Sequence, residues 1–450
     1  MTEIEITQEF LDKIKYLIEQ KDDEELLVHF KGLHHADIAE VFDQLNIEEI
    51  IYIVKLLDSQ KTAEVLMELD QDDRQKILDN LNAREIADEI REMDTDDATD
   101  IIGELPDHVM TGVVNNLQGT EMGRHIQELI KYDEDSAGGL MAKELIKVNE
   151  NWSVTGCLTE MRAQAENVTR VHSIYVVDND GVLKGRLSLK DLITAPSDAH
   201  INDVYIKKVD YVDVHTDGEE VARVMKKYDL EAIPVVDELN RLVGRITIDD
   251  IVDFITEEAD KDYQLAAGIS EDVAPDDTVG QFIRARLPWL ILGLIGGLGA
   301  VYILQGFEGA LQSYPLLFFF TPLIAAMAGN VGVQSSAIAV QGLTRGTFGK
   351  SILKLLAKEV LIALLNGLAL GLLILAFGYI MDIPNLVGLT IALSIICVIM
   401  VAALIGTSIP IILDKRGIDP AIATGPFITT SNDIFGIFIF FFIAKMILGF

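Results

Sequence analysis

The chain has 450 residues, with 36 Lys/Arg against 71 Asp/Glu, a formal net charge of −35, and half of its residues are apolar. Residues 284–450 hold nine basic and six acidic side chains, a net of +3, which leaves −38 on residues 1–283. An acidic soluble part joined to a nearly neutral apolar part argues against a solvated globule and for a membrane protein with a cytosolic domain. The sign also argues against nucleic acid as a partner.

The amino terminus, Met1-Thr-Glu-Ile-Glu, lacks the basic and apolar regions of a signal peptide, so none is expected. Cys157 and Cys397 fall in different parts of the chain; no disulfide is expected, and both read as small packing residues.

Residues 1–131 carry an internal repeat. Leu45, Leu57, Leu69, Leu81, Met93, Leu105 and Leu117 recur every twelve residues, with Phe42, Val54, Leu66, Leu78, Ile90, Ile102 and Val114 three positions earlier. Asn46, Asp58, Asp70, Asn82 and Asp94 follow five of the repeat positions, and all are helix N-cap types. The spacing predicts two-turn helices joined by tight turns, stacked into an acidic all-α superhelix because helices so short cannot stand alone.

A second repeat follows at a constant offset of 59. Ile174–Asp178 matches Ile233–Asp237, and Gly185-Arg-Leu-Ser-Leu-Lys-Asp191 matches Gly244-Arg-Ile-Thr-Ile-Asp-Asp250. Each copy reads strand, turn, strand, then a helix capped near the Ser or Thr. The duplicated pattern resembles the α/β tandem CBS pair, with units expected over 132–196 and 197–256. That resemblance implies dimerisation and an adenine nucleotide such as ATP, whose ribose would fall on Asp191 or Asp250; helix capping is an equal reading of either acid.

Residues 257–283 are acidic, with Glu257, Glu258, Asp260, Asp262, Glu271, Asp272, Asp276 and Asp277, and their first half reads as a helix running on from the second CBS unit. Five spans follow in 284–450, over roughly 287–306, 315–341, 353–380, 386–412 and 426–449, each long enough for a bilayer core of about 30 Å. Arg284, Arg286, Arg345, Lys350, Lys354, Lys358, Lys415 and Arg416 all lie on one side, so the amino terminus is expected in the cytoplasm and the carboxyl terminus outside.

The last span contains Asp433, a carboxylate in an apolar run whose nearby basic residue, Lys445, is about 18 Å away along a helix. Such an acid costs several kcal/mol in lipid unless it faces protein or water, and the usual reason to keep it is a path for a cation. The second span offers Gly329-Asn330-Val-Gly332-Val-Gln334-Ser335-Ser336. Asn330, Gln334 and Asn432 are candidates to line the same path, with helix–helix hydrogen bonding as the competing account of the small polar residues. All eight histidines lie at or before His215. Oxygen donors without imidazole suit a hard cation, and Mg²⁺ takes only one or two carboxylates while keeping its waters.

The whole order, an acidic superhelix, a CBS pair, an acidic connecting helix and five spans with G-N-x-G-x-Q-S in the second, resembles the MgtE magnesium channels. The resemblance implies a Mg²⁺-transporting homodimer in the cytoplasmic membrane, with Asp433 as the pore carboxylate and 257–283 as a plug. It departs from the family at Ala328-Gly329 and Thr424-Gly425-Pro426, where two glycines and an Asn are often found, which bears on selectivity. Acids at helical spacing, Asp94, Asp96, Asp97 and Asp100, then Asp249, Asp250, Asp253, Glu257 and Glu258, are expected to act as a cytosolic Mg²⁺ sensor. Glu64, Glu219 and Asp229 join them through the resemblance. Like charges at 4 Å repel by about 1 kcal/mol in water, so cation binding would draw the faces together and close the pore. A Co²⁺ or Mn²⁺ carrier or exporter with nucleotide-sensing CBS units is the alternative, and a docking sensor a weaker one. An intramembrane metalloprotease, and with it any enzyme, is disfavoured because the spans carry no zinc-binding histidines.

Overall fold

A computed structural model describes residues 6–165, 168, 170–270, 273, 278–344, 352–423 and 425–450. Glu271, Asp272, Asp276, Asp277, Arg345, Lys350 and Thr424 lie outside the described residues. The chain divides into two compact units, residues 1–255 and 256–450.

The first unit begins with α1 (Gln8–Gln20) and α2 (Asp23–Lys31), then short helices: α3 (His35–Phe42), α4 (Ile47–Val54), α5 (Ser59–Glu68), α6 (Gln71–Leu78), α7 (Ala83–Ile90), α8 (Thr95–Glu104), α9 (Asp107–Asn116) and α10 (Glu121–Leu129). Asn46, Asp58, Asp70 and Asn82 accept backbone N–H groups as N-caps; Asp94 holds the cap position of α8 without a capping bond. Helices pack on their next-but-one neighbours, α3 on α5, α5 on α7 and α7 on α9. Phe42, Val54, Leu66, Leu78, Ile90 and Ile102 are all buried, as the repeat requires. Between α6 and α8, Arg74 makes a two-pronged bond to Glu104, with Nε to Oε2 at 3.0 Å and the guanidinium to Oε1 at 2.6 Å.

Each CBS unit contains a three-stranded sheet. In the first, β1 (Ile146–Asn149) runs parallel to β2 (Ile174–Val177), which pairs antiparallel with β3 (Leu183–Leu187), flanked by α11 (Val154–Gln164) and α12 (Leu189–Thr194). After α13 (Ile201–Val204) the pattern repeats with β4 (Val212–Asp213), α14 (Gly218–Tyr228), β5 (Ala232–Val236) and β6 (Leu242–Thr247), and α15 (Ile248–Ala267) leads out. The two units exchange their lead-ins. Ala137 and Met141 are buried in the second core, while Ile201 is buried in the first. Backbone bonds join Ala142 to Arg245 and Ile206 to Arg186 in both directions.

The second unit takes up the rest of α15, which ends at Ala267, so the first half of the connecting segment is helical as expected. Next come α16 (Val279–Gln305), α17 (Glu308–Ser313), α18 (Leu316–Thr344), α19 (Ile352–Ile380), α20 (Asn385–Asp414) and α21 (Pro426–Leu448). Five of these, all but α17, are long and apolar enough to cross a membrane. The first starts eight residues before the expected span. α20 is the most enclosed of the five, and α18, α19 and α21 all pack against it.

Candidate cation sites in the two units

Two sets of acids stand out, one in each unit. In the first unit, α8 presents Asp96 and Asp97 next to its capping residue Asp94, and Glu144 approaches from the segment leading into β1. One carboxylate oxygen each from Asp94, Asp96 and Glu144 lie within 4.8 Å of one another. Asp96 is only 8% exposed. Glu144 is held by the backbone N–H of Thr95 at 3.2 Å and its hydroxyl at 2.9 Å.

Burial first, then Asp97, Asp250 and Asp94, hold the Asp96 carboxyl well above the ordinary carboxylate range. Asp97 is pushed up to about 7 by burial, Asp250, Asp94 and Asp100, against a smaller opposing pull from Arg74. Burial, Asp250, Asp249 and Glu68 likewise raise Asp253. The acids of α8 and those at the start of α15 therefore share one field, which favours protons or another cation. Arg245 is the nearby basic group, 3.7 Å from Asp94, with its Nε donating to the Glu144 carbonyl. An all-oxygen set of this kind suits a hard divalent ion.

The other sensor candidates are placed differently. Glu64 meets His35 Nδ1 at 3.3 Å, and Glu68 takes the opposite ring nitrogen at 3.1 Å. Glu219 and Asp229 sit at opposite ends of α14, the latter as a left-handed C-cap. Glu257 and Glu258 fall in the second unit, where Glu258 pairs with Lys261 at 2.8 Å. The motif acids of the CBS pair are tied to their own hydroxyls: Ser188 donates to Asp191 at 2.7 Å and Thr247 to Asp250 at 2.5 Å. A cavity of ≈ 510 Å³ lies beside the second motif, lined by Arg170, His172, Glu231, Ile248, Asp249, Val252 and Asp253.

In the second unit, Asp433 is half-buried on α21 and its Oδ1 would lie 3.3 Å from a Cβ on Gly329 of α18. Among the described residues it has no ion pair, and Lys445 is exposed further along the helix. Asn330 and Gln334, one turn apart on α18, are exposed. Asn432 departs from the expectation that it lines a path. It is 1% exposed, with its amide packed inside the chain on Gly332. One residue of helix turns it by about 100° from Asp433, which accounts for the difference.

Three participants escaped the sequence reading. Glu144 and Arg245 are brought to the α8 acids by tertiary pairing, which no local pattern announces. Glu359, a second acid within the spans, accepts a hydrogen bond from the buried Ser335 at 2.6 Å. The rule that singled out Asp433 would have found it.

Comparison with known proteins bears on the family and the domain layout. The family described as "Divalent cation transporter", MgtE, matches residues 321–443, the MgtE intracellular N domain matches 33–135, and CBS domains match 137–198 and 201–257. The magnesium transporter MgtE of Bacillus subtilis is 37% identical over 320 residues, 71% of each chain. The chain belongs to the MgtE family. The MgtE of Thermus thermophilus is 36% identical over 327 residues, 72% of each chain. The crystal structure of the cytosolic domain of the Mg²⁺ channel MgtE in complex with ATP is similar with a TM-score of 0.52 and 33% identity, covering 54% of this chain and 99% of that one. The soluble part of a magnesium transporter gives 0.51 and 27%, covering 55% and 98%. The MgtE layout of helical N domain, CBS pair and membrane helices is thus that of this chain, a membrane-spanning protein.

Proposed function

We propose that the protein carries Mg²⁺ across the cytoplasmic membrane through a pore between two copies of the chain, with its amino terminus in the cytoplasm. The observation that carries the reading is Asp433, half-buried beside Gly329 on an apolar helix, with no basic partner among the described residues. Asn330 and Gln334 support a second copy. Exposed amides on a bilayer helix need water or protein rather than acyl tails, and a homodimer would supply both. Asp433 would attract the hydrated ion, and Asn330 and Gln334 would hydrogen-bond its waters; Mg²⁺ dehydrates reluctantly and is commonly held through them.

Closure falls to the cytosolic acids. Asp94, Asp96, Asp97, Asp100, Asp249, Asp250, Asp253 and Glu144 repel one another when ionised. A shared divalent cation would remove that repulsion and draw α8 and the start of α15 together. Glu64, Glu219, Asp229, Glu257 and Glu258 would complete the sensing surface. ATP would bind at the CBS pair with Asp191 toward its ribose, and the reading is supported by a related cytosolic domain solved in complex with ATP.

The deciding experiment is rescue of a magnesium-uptake-deficient bacterium by wild-type and Asp433→Ala genes side by side. Growth restored by the first alone supports the reading, and equal growth refutes it. A panel of Mg²⁺, Co²⁺ and Mn²⁺ fluxes separates it from a transition-metal carrier.

A further inference from the structure

The cap of α8 is exchanged across the junction between the superhelix and the CBS pair. Asn46, Asp58, Asp70 and Asn82 each accept a backbone N–H at the start of their own helix, whereas Asp94 in the same place makes no such bond. Its Oδ2 lies instead 3.7 Å from the guanidinium of Arg245 on β6. The first N–H groups of α8 find other acceptors. Thr95 donates to the Glu144 carboxylate at 3.2 Å, and Asp97 to Asp96 Oδ1 at 3.0 Å. The Thr95 hydroxyl donates to the same Glu144 oxygen at 2.9 Å and accepts the Lys143 N–H at 2.8 Å.

Arg245 closes this junction from the CBS side. Its backbone pairs with Ala142 in both directions, at 2.8 and 2.9 Å, and its Nε donates to the Glu144 carbonyl. The residue is 6% exposed, and among the described residues its Nη1 has no hydrogen-bond partner. A guanidinium keeps its charge at any physiological pH, and burying one is costly unless opposite charge surrounds it. That charge comes from α8 on one side and the start of α15 on the other. Burial and then Glu144 push the Asp94 carboxyl up, and Arg245 draws it back. Burial works against Asp249 as well, yet a Thr247 hydrogen bond and, more weakly, His172 and Arg245 hold its carboxyl below the ordinary range. Arg74, a second guanidinium near these acids, is already committed to Glu104.

We propose that Arg245 is a tethered cation that does part of a divalent ion's work at this junction, keeping α8 docked on the CBS pair without metal and setting how much Mg²⁺ closure requires. Removing its charge would release Asp94 to cap its own helix and leave the two acidic faces with repulsion alone. This deepens the closure reading, and rests on it only for what docking does to the pore.

The test is hydrogen exchange of the full-length protein in EDTA, read at the Thr95 and Lys143 amides, whose bonds cross the junction. Wild type should exchange both slowly. Arg245→Gln, which keeps a donor for the Glu144 carbonyl but no charge, should exchange them about ten- to a hundredfold faster, the scale of one lost hydrogen bond to a charged group. Arg245→Lys, which keeps the charge, should stay close to wild type. Fast exchange in wild type overturns the proposal, as does a glutamine variant that matches wild type. A lysine variant as fast as the glutamine one also overturns it, because shape rather than charge would then be the cause. Lost protection throughout β5 and β6 would make Arg245 a residue of the CBS core and overturns it too. Saturating Mg²⁺ should slow exchange in the glutamine variant again; Mg²⁺ that protects no variant sinks the closure reading and leaves the metal-free contact standing.

Discussion

Ala266 and Gly425 meet backbone to backbone. A Cβ on Gly425 would stand 3.1 Å from the Ala266 carbonyl carbon and closer still to its oxygen. The next residue, Pro426, opens α21, and its Cγ would lie 2.5 Å from a Cβ on Gly268. The end of α15 is therefore seated on the start of the helix that bears Asp433. Gly425→Val should unseat it. The expected result is Mg²⁺ transport that internal Mg²⁺ no longer shuts down, measured as uptake against a series of internal Mg²⁺ loads. Undiminished shutdown would show that this contact plays no part in closure.

Asp433→Ala should abolish Mg²⁺ uptake and leave the dimer intact by size-exclusion chromatography with light scattering. Asp433→Asn should behave alike if the proposed pore draws the ion by charge rather than shape.

Protons and divalent ions should compete at the α8 acids. Asp97 titrates near 7 and Asp96 is raised as well, so folding takes up protons there. For a group whose folded value is raised, the stability it contributes is present below the unfolded value near 4 and is lost as pH rises through 7. In EDTA the thermal midpoint of the cytosolic unit should therefore fall between pH 5 and pH 8. Added Mg²⁺ should raise it at pH 8 and have little effect at pH 5. A pH-independent response to Mg²⁺ would remove these acids from the sensor.

Much of this was legible in the chain, for reasons that differ by element. The short helices of the twelve-residue repeat were readable because most carry their own N-cap and an apolar pair three residues apart, both local features. The CBS strands were readable because the pattern occurs twice. The exchange of lead-ins, with Met141 in the second core and Ile201 in the first, was not, since both cores need the same kind of apolar residue. The first half of the connecting segment was readable as a helix running on from the second CBS unit, because its apolar residues keep the helical spacing up to Ala267. Asn432 was assigned to the wrong face because sequence gives a residue's depth in a span and not its azimuth. Asp433 stood out as a candidate because a carboxylate in a membrane helix is conspicuous at any azimuth.

The bond from Ser335 to Glu359 ties α18 to α19. Ser335→Ala should destabilise the membrane unit by about 1–3 kcal/mol, as expected when a partly buried acceptor is left without its donor. Chemical denaturation in detergent would measure it, and Glu359→Gln should cost less because the amide oxygen can still accept.

Arg74→Ala should cost the superhelix about 3–5 kcal/mol, because it strands Glu104 in a largely buried setting. Replacing both partners by Met and Leu should recover most of that loss. Circular dichroism melts of the single and double variants would check the difference.

The pleated build of the first 130 residues has a mechanical side. Because its helices press mainly on near neighbours, a displacement at one end can be divided among many small adjustments instead of breaking a single joint. Such a body flexes like a leaf spring, and its give grows with the number of leaves. Adding or removing a leaf would then tune the stiffness of the response without altering any ligand.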